Sequence, residues 1–167
     1  GAFGENVRAL RVNGTFDDCQ RLVKAAFTDT ALSKKHGLAS ANSISLGRLL
    51  PQMAYYAHAS LSAVARGQGS PSFVIPTGNL GNAFACLLAR ECGLPIDRIA
   101  LATNANRVLA DFVATGHYAP KDSVATLANA MDVGAPSNVE RLRHRFPDVA
   151  KAVSADWVDD ETIRATI

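Results

Sequence analysis

The sequence lacks the features that mark a membrane or a secreted protein. Across its 167 residues, no apolar run reaches the roughly 18 residues that cross a bilayer. Residues 1–20 do not show the basic and then apolar order of a signal peptide. We therefore expect a cytoplasmic protein with no membrane partner.

Cysteine is scarce, and its spacing is not that of a metal or redox site. Cys19, Cys86 and Cys92 are odd in number and form no Cys-x-x-Cys pair, so we expect small buried thiols in a reducing compartment. The four histidines are dispersed, with no His-Glu-x-x-His pair, and there is no Gly-x-Ser-x-Gly motif. These absences predict no metal site and argue against a triad hydrolase.

Charge of one sign is not in excess, since the formal net charge is only +2. The one basic cluster is Arg141, Arg143 and Arg145, flanked by Glu140 and Asp148, and we interpret it as a solvent-exposed helix face. No basic stripe with interleaved aromatic residues is present. A nucleic-acid partner is therefore not expected.

Hydrophobic residues are plentiful, at 48%, and their pattern predicts an α/β fold. The predicted strands are 7–12, 73–75 and 99–103. The predicted helices are one capped by Thr15, then 29–36, 46–65, 83–92, 107–114, 139–146 and 160–167. Strands that alternate with helices in the middle of the chain favour a three-layer, open and mainly parallel sheet with helices on both faces. Ligands of such sheets bind at the carboxyl ends of the strands, here the loops 77–82 and 104–106.

The most informative stretch is 72–82, Ser-Phe-Val-Ile-Pro-Thr-Gly-Asn-Leu-Gly-Asn. A short apolar strand enters a loop that holds Gly78 and Gly81 and opens a helix, which is typical of an anion cradle made of backbone N–H groups. The loop lacks the Lys-Ser/Thr of a P-loop and the Gly-x-Gly-x-x-Gly of dinucleotide binders. A tight turn, with Gly78 at positive φ and Asn82 as the helix cap, is the alternative.

A second candidate anion site precedes the long predicted helix. Asn42 and Ser43 stand just before it, and Arg48 lies in its first turns, where a cation gains nothing from the helix dipole. This placement indicates an anionic partner. An exposed or core-bordering arginine is the alternative interpretation.

Taken together, several segments resemble the threonine synthase family, in the family's order and over nearly the whole chain. They are 14–20 (Gly-Thr-Phe-Asp-Asp-Cys-Gln), 41–44 (Ala-Asn-Ser-Ile), 74–81 (Val-Ile-Pro-Thr-Gly-Asn-Leu-Gly), 102–104 (Ala-Thr-Asn), 130–132 (Ala-Met-Asp) and 136–138 (Pro-Ser-Asn). The resemblance implies part of the fold type II architecture of pyridoxal-phosphate enzymes. Residues 1–40 would be the C-terminal remainder of the small domain, and residues 41–167 the central part of the large, cofactor-binding domain.

The resemblance also implies roles for individual residues. The loop that matches the family's pyridoxal-phosphate phosphate site is Gly78, Asn79, Leu80, Gly81 and Asn82. The positions that match the site for the substrate's phosphate are Asn42, Ser43 and Arg48. The sequence departs from the family at Leu80, Asn82 and Arg107, where Phe, Asp and an acidic residue are usual.

The activity that the resemblance implies is a lyase reaction, the last step of threonine biosynthesis. It converts O-phospho-L-homoserine and water into L-threonine and phosphate. The resemblance implies that the family's Schiff-base lysine belongs to an N-terminal region that this chain does not contain, and none of the five lysines of this chain matches it. No catalytic residue is therefore assigned, and we expect an inactive fragment. Two alternatives stay open, a non-catalytic phosphate- or nucleotide-binding α/β module and a purely structural or interaction domain. The sequence indicates no oligomeric state.

Overall fold

The computed structural model describes residues 4–166, and the chain divides into two compact units, Gly1–Leu38 and Ala39–Ile167. The first unit holds helices α1 (Phe16–Thr28) and α2 (Thr30–His36). Thr15 caps α1 as predicted: its Oγ1 accepts from the amide of Asp18 at 3.2 Å, and Asp18 Oδ2 accepts from the amide of Thr15 at 2.9 Å. This reciprocal capping box explains where α1 begins.

The strand predicted at residues 7–12 is wrong. These residues have no regular secondary structure, and Leu10 is 87% exposed. Within residues 4–166 they take part in no strand pairing. Local β propensity alone does not make a strand without a partner.

The second unit begins with two helices where one long helix was predicted. They are α3 (Leu46–Leu49) and α4 (Met53–Ala65), separated by a 3₁₀ turn, Leu50–Gln52. The interruption falls at Pro51, which has no backbone N–H and cannot continue the α-helical hydrogen bonding. The break at Pro51 was not predicted. Of the apolar residues expected along one side of that helix, Leu49 and Tyr56 are buried, but Leu50 and Leu61 are 51% and 53% exposed.

A three-stranded parallel sheet follows in the order β1 (Phe73–Pro76), β2 (Ile99–Thr103) and β3 (Ser154–Trp157). Ile75 pairs with Leu101, and Leu101 pairs with Ala155. The elements between and after the strands are α5 (Gly81–Glu91), α6 (Val108–Thr115), a 3₁₀ turn (Asn129–Met131), α7 (Val139–Arg145), α8 (Val149–Ala152) and α9 (Asp160–Thr166). The predicted α/β class and parallel sheet are confirmed, whereas β3 and α8 were missed.

The core lies between the sheet and α5. Leu87 on α5 and Leu101 on β2 are almost fully buried, and Leu142 on α7 joins the same cluster. Because α5 directly follows β1, this packing fixes the N-terminal end of α5 at the carboxyl end of the sheet. None of the helices described in residues 4–166 combines the length and the apolar character that a membrane span requires.

Candidate functional site

A cavity of about 490 Å³ lies at the carboxyl end of β1, which is where the sheet topology places ligands. Three segments line it: the loop after β1 (residues 76–82), the start of the helical region (Ser43, Arg48 and Gln52) and the 3₁₀ segment (residues 127–131). Arg48 carries the only charged side chain among these lining residues. A volume of this size accommodates a small molecule.

The loop after β1 presents unused backbone donors to this cavity. Within residues 4–166, no protein acceptor is bonded to the amides of Gly78, Asn79, Gly81 and Asn82, and α5 has no side-chain cap. Leu80 is the exception, since its amide donates to Thr77 Oγ1 at 3.2 Å. Free amides at the N-terminus of an 11-residue helix, together with the Arg48 guanidinium, make the cavity suited to an anion.

The two glycines are required by close approach of other segments. A Cβ at Gly78 would stand 2.9 Å from Met131 Cα, and a Cβ at Gly81 would stand 3.0 Å from Ser43 Cβ. The left-handed backbone conformation falls on Leu80 instead, at φ 64°. The turn interpretation, with Gly78 at positive φ and Asn82 as the cap, is therefore wrong in detail. Burial of the Leu80 side chain, worth roughly 1.5–3 kcal/mol, offsets the roughly 1–2 kcal/mol cost of that conformation.

The side chains of Asn79 and Asn82 hold the loop in place. Asn79 Nδ2 donates to Ser43 Oγ at 2.5 Å, while Asn79 Oδ1 accepts from the amide and hydroxyl of Ser137 at 2.6 and 2.9 Å. Asn82 Oδ1 accepts from the Tyr56 hydroxyl, and Asn82 Nδ2 donates to Gln52 Oε1 at 2.9 Å. Both carboxamides are thus bonded to protein groups, which leaves the backbone amides as the loop's free donors.

The Tyr56 hydroxyl is well suited to remain a donor to Asn82. Burial raises the pKa of Tyr56 above its ordinary value of 10.0, and a nearby thiol, Cys86, adds to the shift. The hydroxyl consequently keeps its proton at every physiological pH. Its hydrogen bond anchors the first turn of α5 to α4.

The three residues predicted to hold a second phosphate are placed unequally. Ser43 and Arg48 line the cavity together with the glycine loop. Asn42 is not among the lining residues. Its Oδ1 accepts from the Ser43 hydroxyl and the Ile44 amide, each at 3.2 Å, and so closes the turn. The structure therefore brings Ser43 and Arg48 to the loop, with Asn42 behind them as a turn-forming residue.

Arg48 keeps most of its guanidinium available. One nitrogen, Nη1, donates to the carbonyl of Ala41 at 3.1 Å, and the side chain is otherwise exposed at the cavity wall. Gln52 holds this corner in place: its Nε2 donates to the Arg48 carbonyl at 2.8 Å while its Oε1 accepts from Asn82. The α3 corner and the glycine loop are thereby joined by one side chain.

The segment 127–131, which lines the cavity, is positioned by a partly buried polar network that was not predicted from the sequence. Asp132 Oδ1 accepts from Asn104 at 2.8 Å, from Asn106 at 3.1 Å and from the Thr126 hydroxyl at 2.7 Å. Asp132 Oδ2 accepts from the amide of Thr126 at 3.0 Å. The loop after β2 therefore secures the ends of the segment 127–131 rather than lining the cavity itself. The signal available was the run of polar residues immediately after β2.

The arginine cluster is not the uniformly solvated face that we predicted. Arg143 is exposed and Arg145 forms an ion pair with Glu91, but Arg141 is half-buried. Its guanidinium donates to the carbonyls of Ser43 and Ile44. The expectation of three solvated side chains is corrected for Arg141, because the backbone carbonyls of Ser43 and Ile44 take up its donors.

Lysine does not line the cavity, and two of the lysines are committed elsewhere. Lys121 pairs with Asp111 at 3.0 Å and Lys151 with Asp148 at 2.8 Å. No group of three or more metal-ligating side chains occurs among residues 4–166.

Of the three cysteines, only Cys86 is buried, and Cys92 is exposed, so the expectation of three buried thiols is wrong.

Comparison with known proteins adds to this geometry. No family model matches the sequence. The curated threonine synthase of Escherichia coli is 41% identical over 167 residues, which cover 98% of this chain and 39% of that protein. The crystal structure of the E. coli threonine synthase superposes with a TM-score of 0.85 over 98% of this chain at 42% identity, and covers 39% of that chain. A pyridoxal-phosphate-bound threonine synthase of Brucella melitensis gives 0.73 over 92% at 33% identity, again 39% of that chain.

The parallel sheet, with a glycine loop that opens a helix after its first strand, superposes on a threonine synthase, and this confirms the fold type II architecture that the sequence resemblance implied. Within that class the resemblance to threonine synthase is confirmed over almost the whole chain. The chain spans about two fifths of the length of the curated relatives it matches.

Proposed function

We propose that this chain is the phosphate-holding part of a threonine synthase that uses pyridoxal phosphate. In the longer protein the reaction would convert O-phospho-L-homoserine and water into L-threonine and phosphate. The observation that carries the proposal is the set of unbonded amides of the glycine loop beside Arg48, in a chain about 40% identical to threonine synthases. The substrate would be a small molecule, with neither nucleic acid nor membrane as partner.

The residues present fit the phosphate of the cofactor. The N-terminus of α5 supplies free amides and a favourable dipole, and the two glycines let the loop lie close to Met131 and Ser43. We assign the cofactor phosphate to Gly78, Asn79, Leu80, Gly81 and Asn82. Leu80 contributes through its shape, since its amide is taken by Thr77 and its buried side chain sets the loop conformation.

We assign the substrate phosphate to the Ser43 and Arg48 side of the same cavity, with Asn42 shaping the turn. Arg48 would neutralise the charge of the phosphate, and the Ser43 hydroxyl would orient it. When bound, pyridoxal phosphate supplies an electron sink for carbanions on the substrate. The residues of this chain bind and orient both phosphate groups. They do not supply the lysine that moves protons in the family reaction.

The domain assignment is part of the proposal. Residues 1–40 would belong to the small domain and residues 41–167 to the large domain of a fold type II enzyme, working in the cytoplasm. The division of the structure into Gly1–Leu38 and Ala39–Ile167 supports this arrangement.

The experiment is a paired assay of the intact protein and of this chain. With pyridoxal phosphate and O-phosphohomoserine, the intact protein should release phosphate and form threonine, whereas this chain alone should bind phosphate without turnover. Arg48→Ala should weaken the binding of inorganic phosphate, and Arg66→Ala, at the exposed end of α4, should leave it unchanged. Failure of the intact protein to form threonine would contradict the proposal.

A phosphate-binding module without catalysis is the second candidate, and it is favoured by the absence of lysine from the cavity lining. Borohydride reduction in the presence of pyridoxal phosphate separates the two. A single stoichiometric label on a lysine of the intact protein, with turnover, supports the enzyme. Scattered partial labels without turnover support the module.

A further inference from the structure

Asn138 joins the two proposed phosphate-binding segments through one buried carboxamide. It has no exposed surface, and its Nδ2 donates to the carbonyl of Asn79 at 2.9 Å and to the carbonyl of Ser43 at 3.2 Å. The first carbonyl belongs to the glycine loop and the second to the turn before α3. One side chain therefore sets the spacing between the two segments.

Arg141 reinforces this link from one turn further along α7. Its Nη1 donates to Asn138 Oδ1, which fixes the orientation of the carboxamide, and its Nη2 donates to the carbonyl of Ile44. A carboxamide held at its oxygen can direct both hydrogens of Nδ2 only toward the two carbonyls. Arg141 thus determines how Asn138 binds both segments.

The contact between the two segments leaves little room for adjustment. A Cβ on Gly81 would lie 3.0 Å from Ser43 Cβ, so the turn packs directly against the first residue of α5. The Ser43 hydroxyl also accepts from Asn79 Nδ2 at 2.5 Å. A displacement of the Ser43 carbonyl would consequently move the Ser43 hydroxyl and the loop amides together.

We infer that Asn138, oriented by Arg141, is a positioning residue that couples the cofactor-phosphate loop to the substrate-phosphate turn. This inference rests on the proposed function. Neither side chain is among the residues that line the cavity, so both act through the backbone of Ser43 and Asn79. The coupling predicts that a change at Asn138 alters the affinity for cofactor and substrate together.

The test uses Asn138→Asp in the intact protein. A carboxylate keeps the acceptor for Arg141 but cannot donate to the two carbonyls. Misplacement of binding groups by about 1 Å reduces catalytic efficiency by up to about a hundredfold. We therefore expect both the Kd of pyridoxal phosphate and the KM of O-phosphohomoserine to rise about tenfold, with kcat less affected. A folded Asn138→Asp protein in which neither constant changes, or in which only one does, would overturn the inference.

Arg141 provides a milder test and a matched control. Arg141→Ala should raise KM and the Kd of pyridoxal phosphate, and Arg141→Lys should restore part of each, since a lysine can still donate to a carbonyl. Arg143→Ala, two residues further on the exposed face of the same helix, should change neither. Loss of thermal stability in Arg141→Ala with both constants unchanged would show a purely structural role and overturn the inference.

The test of the positioning role can be separated from the test of the proposed function. If the intact wild-type protein forms no threonine, the proposed function fails. The positioning role is then decided by the Kd of inorganic phosphate and by amide exchange at residues 42–45 and 78–82. Faster exchange at both segments together in Asn138→Asp supports it, and unchanged exchange at either segment overturns it.

Discussion

Asn79 and Ser137 stand 58 residues apart in sequence, yet one oxygen of Asn79 accepts both the amide and the hydroxyl of Ser137, at 2.6 and 2.9 Å. The glycine loop is therefore fastened to the segment that precedes α7. The bond does not depend on a ligand, since both partners belong to the protein. It makes the shape of the loop a property of the fold.

Asn79→Ala should destabilise the protein, because it leaves the Ser137 amide without its acceptor in a partly buried site. We expect a loss of about 1–3 kcal/mol in the free energy of unfolding, measured by urea denaturation. Asn129→Ala is the control, since that side chain is exposed and forms no hydrogen bond within residues 4–166. Equal stability of Asn79→Ala and wild type would show that the Ser137 bonds contribute nothing.

Gly78→Ala should disrupt the cavity by steric overlap, since the added Cβ would meet backbone atoms of Met131 at 2.9 and 3.0 Å. Overpacking of this kind costs about 1–3 kcal/mol, and inorganic phosphate should bind more weakly in isothermal titration. Gly47→Ala is the matched substitution, because its Cβ would meet only Ser45 Oγ at 3.5 Å. Gly47→Ala should be neutral or slightly stabilising, and a comparable loss in both variants would refute the steric explanation.

Asp132→Asn should loosen the segment 127–131. The substitution replaces one carboxylate oxygen by a donor, which faces the amide of Thr126 or the carboxamides of Asn104 and Asn106. We expect a loss of about 2–3 kcal/mol in unfolding free energy, together with faster amide exchange across residues 126–132. Asp122→Asn, at an exposed position nearby, should change neither quantity. Unaltered exchange in Asp132→Asn would rule out the proposed anchoring of this wall.

Cys86 and Cys92, both near the C-terminal half of α5, should differ sharply in reactivity. Burial raises the pKa of the Cys86 thiol to about 12, whereas Cys92 is exposed. Only thiolates react, so iodoacetamide at pH 8 should label Cys92 and spare Cys86 until the protein unfolds. Mass spectrometry after native labelling is the measurement, and rapid modification of Cys86 at pH 8 would contradict this prediction.

The raised pKa also makes stability depend on pH. Because the folded pKa of Cys86 lies above its ordinary 9.0, the contribution of this thiol to stability is complete below pH 9 and is lost as pH rises toward 12.

Local signals were sufficient for two strands of the second unit and for the start of the first helix. The apolar runs predicted β1 and β2, and the capping residue Thr15 predicted the start of α1. The missed strand, β3, has alternating exposed and partly buried residues and only four positions, too few for periodicity to show. The false strand at 7–12 had the opposite problem, since its composition was suitable but these residues pair with no strand in the described chain.

The site was predictable only where its residues are contiguous. The glycine loop could be recognised because its amides and helix start lie within one short stretch. The side chains that hold it come from distant positions, namely Gln52, Tyr56, Ser137 and Asn138. No local pattern connects residues that meet only after the chain has folded, so their roles were missed.

The separations of these bonded pairs bear on the order of folding. Asn138 meets Ser43 across 95 residues, and it meets Asn79 across 59. Contacts between distant residues must first overcome the entropy of closing a long loop, so they form later than the local contacts of α4 or α5. The cavity should accordingly be the last part of this unit to assemble. Pulsed hydrogen exchange during refolding should protect the α5 amides before that of Ser137, which donates to Asn79 Oδ1 at 2.6 Å across 58 residues.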